Sequence, residues 1–417
     1  MKGLSIKPLL FITICLSIVF LVTAPLFLPN RIENNIIQDP DLMNRPEWAG
    51  IITIWYVPYF ETATGNQVGW LNDYIRSFEK KYPGVIIDLK VLNADRLALY
   101  FYQGEDMDFL PNIIAMNLYK QPIPKEMLVD LSSYFNDKEL AGLYEPLVNS
   151  LCVDGKLLGI PWMLGSYALF VNDLFIEGLD LVKDKEIQAE RESGYEQLDT
   201  VVRWRLKKDL EDATDLDFFG LTSYSSSHTR PLLSIICSNE GKINNRGLDL
   251  ITSYLKDGLC SNELVSTSYQ KAFSQFAIEK RVATLLGSSK VLYDLKGLEG
   301  DNKGIDYTIL PLPRDKENGF YLDQIAAMGV LNGTSEEARP ICVQFLKGLL
   351  ETECQKKLSE LGMFSVLKTL SLYEDDEEMS LLEGSLEDMG TGFFYKNRTN
   401  IDSVWEDLLN IFEDYLQ

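Results

Sequence analysis

The chain has 417 residues, 46% of them hydrophobic and 24% charged, an ordinary globular composition with length for more than one lobe. Its 62 acidic residues outnumber 39 basic ones, for a net charge of -23, which excludes the basic surface that a nucleic-acid partner requires. One histidine, His228, in a Ser/Thr-rich stretch, and six cysteines (Cys15, Cys152, Cys237, Cys260, Cys342, Cys354) without Cys-x-x-Cys spacing leave no metal site or cofactor expected.

Lys2 and Lys7 precede an uncharged apolar run over residues 8–29. A bilayer is spanned by about 20 such residues in a helix. Glu33, Asp39 and Asp41 follow the run, so the N-terminus is expected inside and the body outside. Cys15 follows Ile14 in mid-run, which is wrong for a lipoprotein anchor. Pro25 directly after Ala24 should block signal cleavage. The expectation is an uncleaved anchor over 1–30 and a tether over 31–50, with secretion after cleavage as the alternative.

The body opens on a β-rich run, Ile51, Ile52, Thr53, Ile54 and Trp55. Leu71, Tyr74, Ile75, Phe78 and Tyr82 recur at helical spacing and stop at Pro83 and Gly84. Val85, Ile87, Leu89 and Val91 alternate as a strand. A helix near 94–103 and the run Ile113, Ile114, Ala115, Met116 complete a pattern that predicts a parallel α/β sheet. Asp154 and Gly155 predict a two-residue hairpin turn. Ile160, Pro161 and Trp162, then Gly165 and Ser166, then the strand from Tyr167 to Val171, suit a chain crossing between lobes. Residues 181–215 read as a charged, solvated helical segment. Thr334 and Glu337 predict a capping box for the helix that follows. The acidic run Glu374, Asp375, Asp376, Glu377, Glu378 reads as a solvated helix start without EF-hand spacing. Ile401, Val404, Trp405, Leu408, Leu409, Ile411, Phe412 and Tyr415 predict a final amphipathic helix.

The 153–175 segment (VDGKLLGIPWMLGSYALFVNDLF) resembles the inter-lobe crossover of family 1 extracellular solute-binding proteins, the substrate-binding components of carbohydrate-type ABC importers. Tyr82, Pro83 and Gly84 before an alternating strand resemble that family, as do Leu128 to Leu131, the Phe273 to Leu285 helix and strand, Asp306 to Pro313, and the helix with Phe345 and Leu346. Gly362, Met363 and Phe364 sit where the family has a Gly-aliphatic-Pro loop, with Ser365 in place of proline. Gly287, Ser288, Ser289 and Lys290 lack the tryptophan often found after the preceding strand. The resemblance covers roughly 50–370.

It implies an α/β, two-lobe periplasmic-binding-protein-like fold with a ligand cleft between lobes and an N-terminal membrane segment. Lobe one is expected over 51–162 and 329–370, and lobe two over 163–322 and 371–417. Gly165 and Ser166, with Ala326 and Ala327, are expected as hinges. Sugar binding uses aromatic faces for apolar C–H surfaces, with amides, hydroxyls and backbone for the sugar hydroxyls. Such groups belong beyond the carboxyl ends of strands. The candidates are Trp55, Tyr56 and Tyr59; Asn117 and Tyr119; Trp162, Ser166 and Tyr167; and Ser288 and Ser289. Trp55 and Trp162 are expected to be partly exposed in an open cleft. The implied function is capture of a small solute, a carbohydrate, and its delivery to ABC permease membrane subunits, with attachment to the membrane through the N-terminal segment. A membrane-anchored solute sensor or adaptor on the same fold is the alternative. A carbohydrate-active enzyme is the third, although G-x-S-x-G, P-loop and H-E-x-x-H signatures are missing and no catalytic residue is assigned.

Mass spectrometry of membrane-extracted protein should find residues 8–29 still attached. A mature chain starting near residue 25 or 30, or a lipidated Cys15, would overturn the anchor.

Overall fold

The computed structural model describes residues 48–93, 96–97, 99–100, 110–116, 123–176, 194–204, 217–221, 238–239, 242–243, 245–260, 267–300, 304–310, 324–388 and 410–411. Trp48–Gln417 is one compact unit; the other, Met1–Glu47, lies outside the described residues, and so does the apolar run. No described helix is long and apolar enough to cross a membrane.

Strand β1 (Gly50–Tyr56) buries Ile52 and Ile54 and leaves Ile51 outward, as the twofold strand period requires. Helix α1 (Gln67–Lys81) begins four residues before Leu71, the first residue of the predicted stripe, because Asn66 caps it, and it buries Trp70 as well. The Asn66 side chain accepts from the N–H groups of Val68 and Gly69, and Lys80 and Lys81 lie at the negative end of the helix dipole. Strands β2 (Val85–Val91) and β3 (Ile113–Met116) follow. Asp137–Ala141 forms α2, closed by a capping box of Asn136 and Glu139, and Glu145–Leu151 forms α3. Cys152–Val153 (β4) and Lys156–Leu157 (β5) make the expected hairpin. Asp154 and Gly155 both hold positive φ, 51° and 77°, the requirement of a type I′ turn.

The chain continues through β6 (Ile160–Leu164), β7 (Tyr167–Asn172), α4 (Gly194–Trp204), β8 (Asp217–Leu221), the pair β9 (Ser238–Asn239) and β10 (Lys242–Ile243), and α5 (Asn245–Lys256). Next come α6 (Tyr269–Phe273), β11 (Val282–Ser288), α7 (Ser289–Gly300), β12 (Tyr307–Leu310), β13 (Ile325–Val330), α8 (Arg339–Leu349), α9 (Thr352–Lys356) and α10 (Glu377–Gly384).

Two sheets organise these elements: β2-β1-β3-β13-β6 and β12-β7-β11-β8. β1 pairs in parallel with β2 and β3, as expected, but β13 runs antiparallel to both β3 and β6. The purely parallel expectation is therefore corrected to mixed sheets. β13 enters the first sheet after a long excursion through the second, and local periodicity carries no information about that direction. The chain leaves the first sheet at Leu164 and enters the second at Tyr167; on return, it re-enters the first at Ile325. The expected divisions stood at 162 and 329.

Other expectations change with packing. Ala338, without a side-chain bond, caps α8, while the Thr334 hydroxyl donates to the Asn112 carbonyl at 3.2 Å, so the capping box of Thr334 and Glu337 does not form. Within 181–215, α4 is amphipathic, with Leu198, Val201 and Val202 buried, and is not wholly solvated. Asp376 caps α10, and Lys296 holds Asp376 and Glu378 at 2.9 and 3.0 Å. Burial opposes ionisation of Asp376, but Lys296 and the Met379 N–H outweigh it and keep its carboxyl below the usual range. Among the described residues no group of carboxylates, histidines or cysteines is arranged for a metal. His228 and most of the residues predicted to form the final helix lie outside the described residues.

β6 is the edge of its sheet, where proline costs no ladder bond. Ala326 pairs with Met163 but Ala327 pairs with Pro161, so Trp162 is the extra residue of a bulge. Its ring stacks on Trp70 at 5.3 Å and lies 6.4 Å from Tyr56. Gln355, fully buried, donates from Nε2 to the Trp162 and Leu349 carbonyls, both at 2.8 Å, and accepts from Ser365 Oγ and the Val366 N–H. Trp162 is 0% exposed, not partly exposed as expected. Trp162→Ala should lower unfolding free energy by about 3–5 kcal/mol, measured from the denaturant midpoint. A midpoint equal to that of the parent chain would contradict this packing role.

Candidate functional site

The carboxyl ends of parallel strands β1 and β3 lie side by side, the position where open α/β sheets place ligands. A cavity of about 10 Å³, room for a single water, opens there. Tyr56 at the end of β1 and Val57, Tyr59 and Phe60 after it wall the cavity, with Ala115 and Met116 from β3 and Ala326 and Ala327 from β13. Gln67, in the first turn of α1, supplies the one carboxamide.

The polar end is built from within. The Tyr56 hydroxyl donates to Gln67 Oε1, and Gln67 Nε2 donates to the Phe60 carbonyl. Tyr56 and Gln67 are both buried, so these bonds are shielded from water. Burial pushes the Tyr56 phenol above its ordinary range, and it remains a neutral donor at physiological pH. No described residue lining the cavity carries a charge. Among its described residues the arrangement has no nucleophile–base pair. It offers aromatic edges, methyl groups and one amide, which suits binding of a neutral polar solute.

The predicted candidates fall into two groups. Tyr56 and Tyr59 share the cavity, and Trp162 backs Tyr56 from the core. Trp55 points to the other face of β1, where its ring meets Tyr100 at 5.0 Å; it is 5% exposed, again not partly exposed as expected. The second group surrounds the passage between sheets. Tyr167 pairs with Ser288 across β7 and β11. The Ser289 N–H donates to the Ser166 carbonyl at 3.2 Å, and Ser289 Oγ donates to the Gly362 carbonyl at 3.1 Å. Ser166 Oγ donates to the Leu382 carbonyl at 3.0 Å and lies 3.2 Å from Ser385 Oγ. Ser166, Ser288 and Ser289 are buried, and the hydroxyls of Ser166 and Ser289 are engaged within the protein. Asn117 and Tyr119 lie outside the described residues, although Asn117 directly follows the wall residue Met116. Sequence reasoning missed Gln67, Met116 and Trp70. The signal for Gln67 was slight: a polar residue one position past a helix-capping Asn, at the start of an amphipathic helix.

No protein-family model and no curated protein sequence matches the chain. Solved structures do. A family 1 extracellular solute-binding protein from Bifidobacterium longum subsp. infantis superposes with a TM-score of 0.64 at 13% identity, over 88% of this chain and 98% of the other. Maltose-bound MalE3 of T. maritima gives 0.57 at 15%, over 87% and 99%. The cyclic alpha-maltosyl-1,6-maltose binding protein of Arthrobacter globiformis gives 0.61 at 15%, over 88% and 98%. The chain therefore has the mixed α/β fold of the periplasmic-binding-protein class.

Tyr56→Phe leaves Gln67 Oε1 buried without its donor, and Gln67→Met removes both bonds. Each should cost about 1–3 kcal/mol of stability. The double variant should cost less than the sum of the singles, as coupled neighbours do. Additive losses in a thermal or denaturant cycle would show that the pair is not coupled.

Proposed function

We propose that the chain is an extracytoplasmic solute-binding protein that captures a carbohydrate and delivers it to an ABC permease. The observation that carries this reading is the uncharged, aromatic-walled site with a single buried carboxamide at the carboxyl ends of β1 and β3. An ion or charged metabolite would lose its hydration there without an opposite charge to replace it. A sugar presents C–H faces to the tyrosines and hydroxyls to the amide.

The proposal includes two lobes, one on each sheet, with the cleft between them. A cavity of about 10 Å³ does not admit a pyranose, and its walls all come from the first sheet and the segments next to it, so it forms the first-sheet side of that cleft and the sugar lies against it. Ala326 and Ala327 belong both to that wall and to β13, opposite the bulge of β6 and next to the crossover, so a hinge motion there would reach the site. A ligand that touches both lobes then shifts the population toward a closed state. Tyr59, Asn117 and Tyr119 remain candidate ligand contacts, whereas Trp55 faces away from the cavity and Trp162 backs Tyr56 from the core. The apolar run over 8–29 supplies membrane attachment. One of the similar structures is bound to maltose and another is a cyclic alpha-maltosyl-1,6-maltose binding protein, so alpha-glucosides are the first solutes to test.

Thermal shift of the detergent-extracted full chain against maltose, maltotriose and xylotriose tests the reading. A sugar at 100 times its Kd should raise stability by about 2.7 kcal/mol. No shift with any sugar, together with a shift from an amino acid or a peptide, would overturn it.

A further inference from the structure

We infer that Gly165 and Gln324 form an internal counterweight at the crossover, a contact that opposes the very arrangement it helps to build; this rests on the two-lobe reading above. Gly165 lies between β6 and β7, and Gln324 directly precedes β13, so the outgoing and returning passages meet here.

The Gly165 N–H donates to the Gln324 carbonyl at 2.8 Å. The Gln324 side chain lies across the glycine. A Cβ at residue 165 would overlap Gln324 Oε1 and stand 2.7 Å from its Cβ and Cδ. The contact forms only because residue 165 has no side chain. Gln324 is 2% exposed, yet its Oε1 is buried without a hydrogen-bond partner. The hydroxyls of the crossover are committed elsewhere: Ser166 Oγ to Leu382 and Ser385, and Ser289 Oγ to Gly362.

A buried acceptor without a donor raises the free energy of the conformation that buries it. The backbone bond and close packing favour this crossover geometry, while the orphaned oxygen opposes it. Rotation about either passage that brings water or a donor to Oε1 relieves the opposition. The penalty lowers by its own amount the free energy that a ligand must supply to move the hinge.

Two substitutions should act with opposite sign. Gln324→Met keeps the reach of the side chain and removes the oxygen, so it favours the geometry seen here. Gly165→Ala drives the passages apart. Hydrogen exchange of the full chain, without ligand, reads this on peptides spanning 163–167, with 50–56 as control. Gln324→Met should slow exchange about tenfold, the scale set by one unpaired buried group. Gly165→Ala should speed it, and Gly165→Ala combined with Gln324→Gly should restore it toward the parent rate. Control peptides should be unchanged. An unchanged rate with Gln324→Met, or a change of the same sign in both single variants, refutes the contact, and the first result decides even if Gly165→Ala fails to fold. Expected exchange in a chain that binds no sugar would remove the transport reading and leave the contact. Sugar binding with unchanged exchange would do the reverse.

Discussion

The exchange of backbone bonds between Leu164 and Phe364 fixes where the two sheets meet. The Leu164 N–H donates to the Phe364 carbonyl at 3.0 Å, and the Phe364 N–H returns a bond at 2.8 Å. β6 is an edge strand, and these bonds occupy the end of its open side. From that point the chain can only turn away, and Gly165 and Ser166 carry it into β7. Segments some 200 residues apart in sequence are thus held in register by two backbone bonds and the buried Gln355 beneath them. Gln355 uses its full hydrogen-bonding capacity, which is what allows a carboxamide to sit in an apolar core.

The bulge at Trp162 follows from the same constraint. Pro161 is tolerated at the sheet edge, and the bulge turns Trp162 toward Trp70 of α1 and Tyr56 of β1. Tyr56 in turn meets Gln67 at the cavity wall. A continuous packed path therefore runs from the crossover to the candidate site. The aromatic residues that resemble ligand contacts in the sequence are in part the material of that path.

Much of this was legible. The strands at Gly50–Tyr56, Val85–Val91 and Ile113–Met116 and the helix between them show their own periods. The Asp154 and Gly155 turn and the Gly165 and Ser166 crossover were readable from local chemistry alone. The site was less so. Trp55 and Tyr56 are neighbours in sequence but face opposite sides of β1, and only Tyr56 lines the cavity. Ser166 and Ser289 sit at the right place in the chain, yet their hydroxyls bond to Leu382 and Gly362, partners that no nearby residue announces.

By itself the sequence determined the elements, the turns between them, the acidic and histidine-poor character that removes whole classes of function, and the point at which the chain crosses between sheets. Those properties depend on backbone preference and side-chain period over a few residues, so they are written locally. The tertiary structure decided the direction of β13, the burial of Trp55 and Trp162, the inward turn of Gln67, and the loss of the Thr334 capping box to Asn112. Each depends on what a distant segment places opposite the residue. Burial and hydrogen-bond competition are settled by that partner and not by the residue's own neighbours.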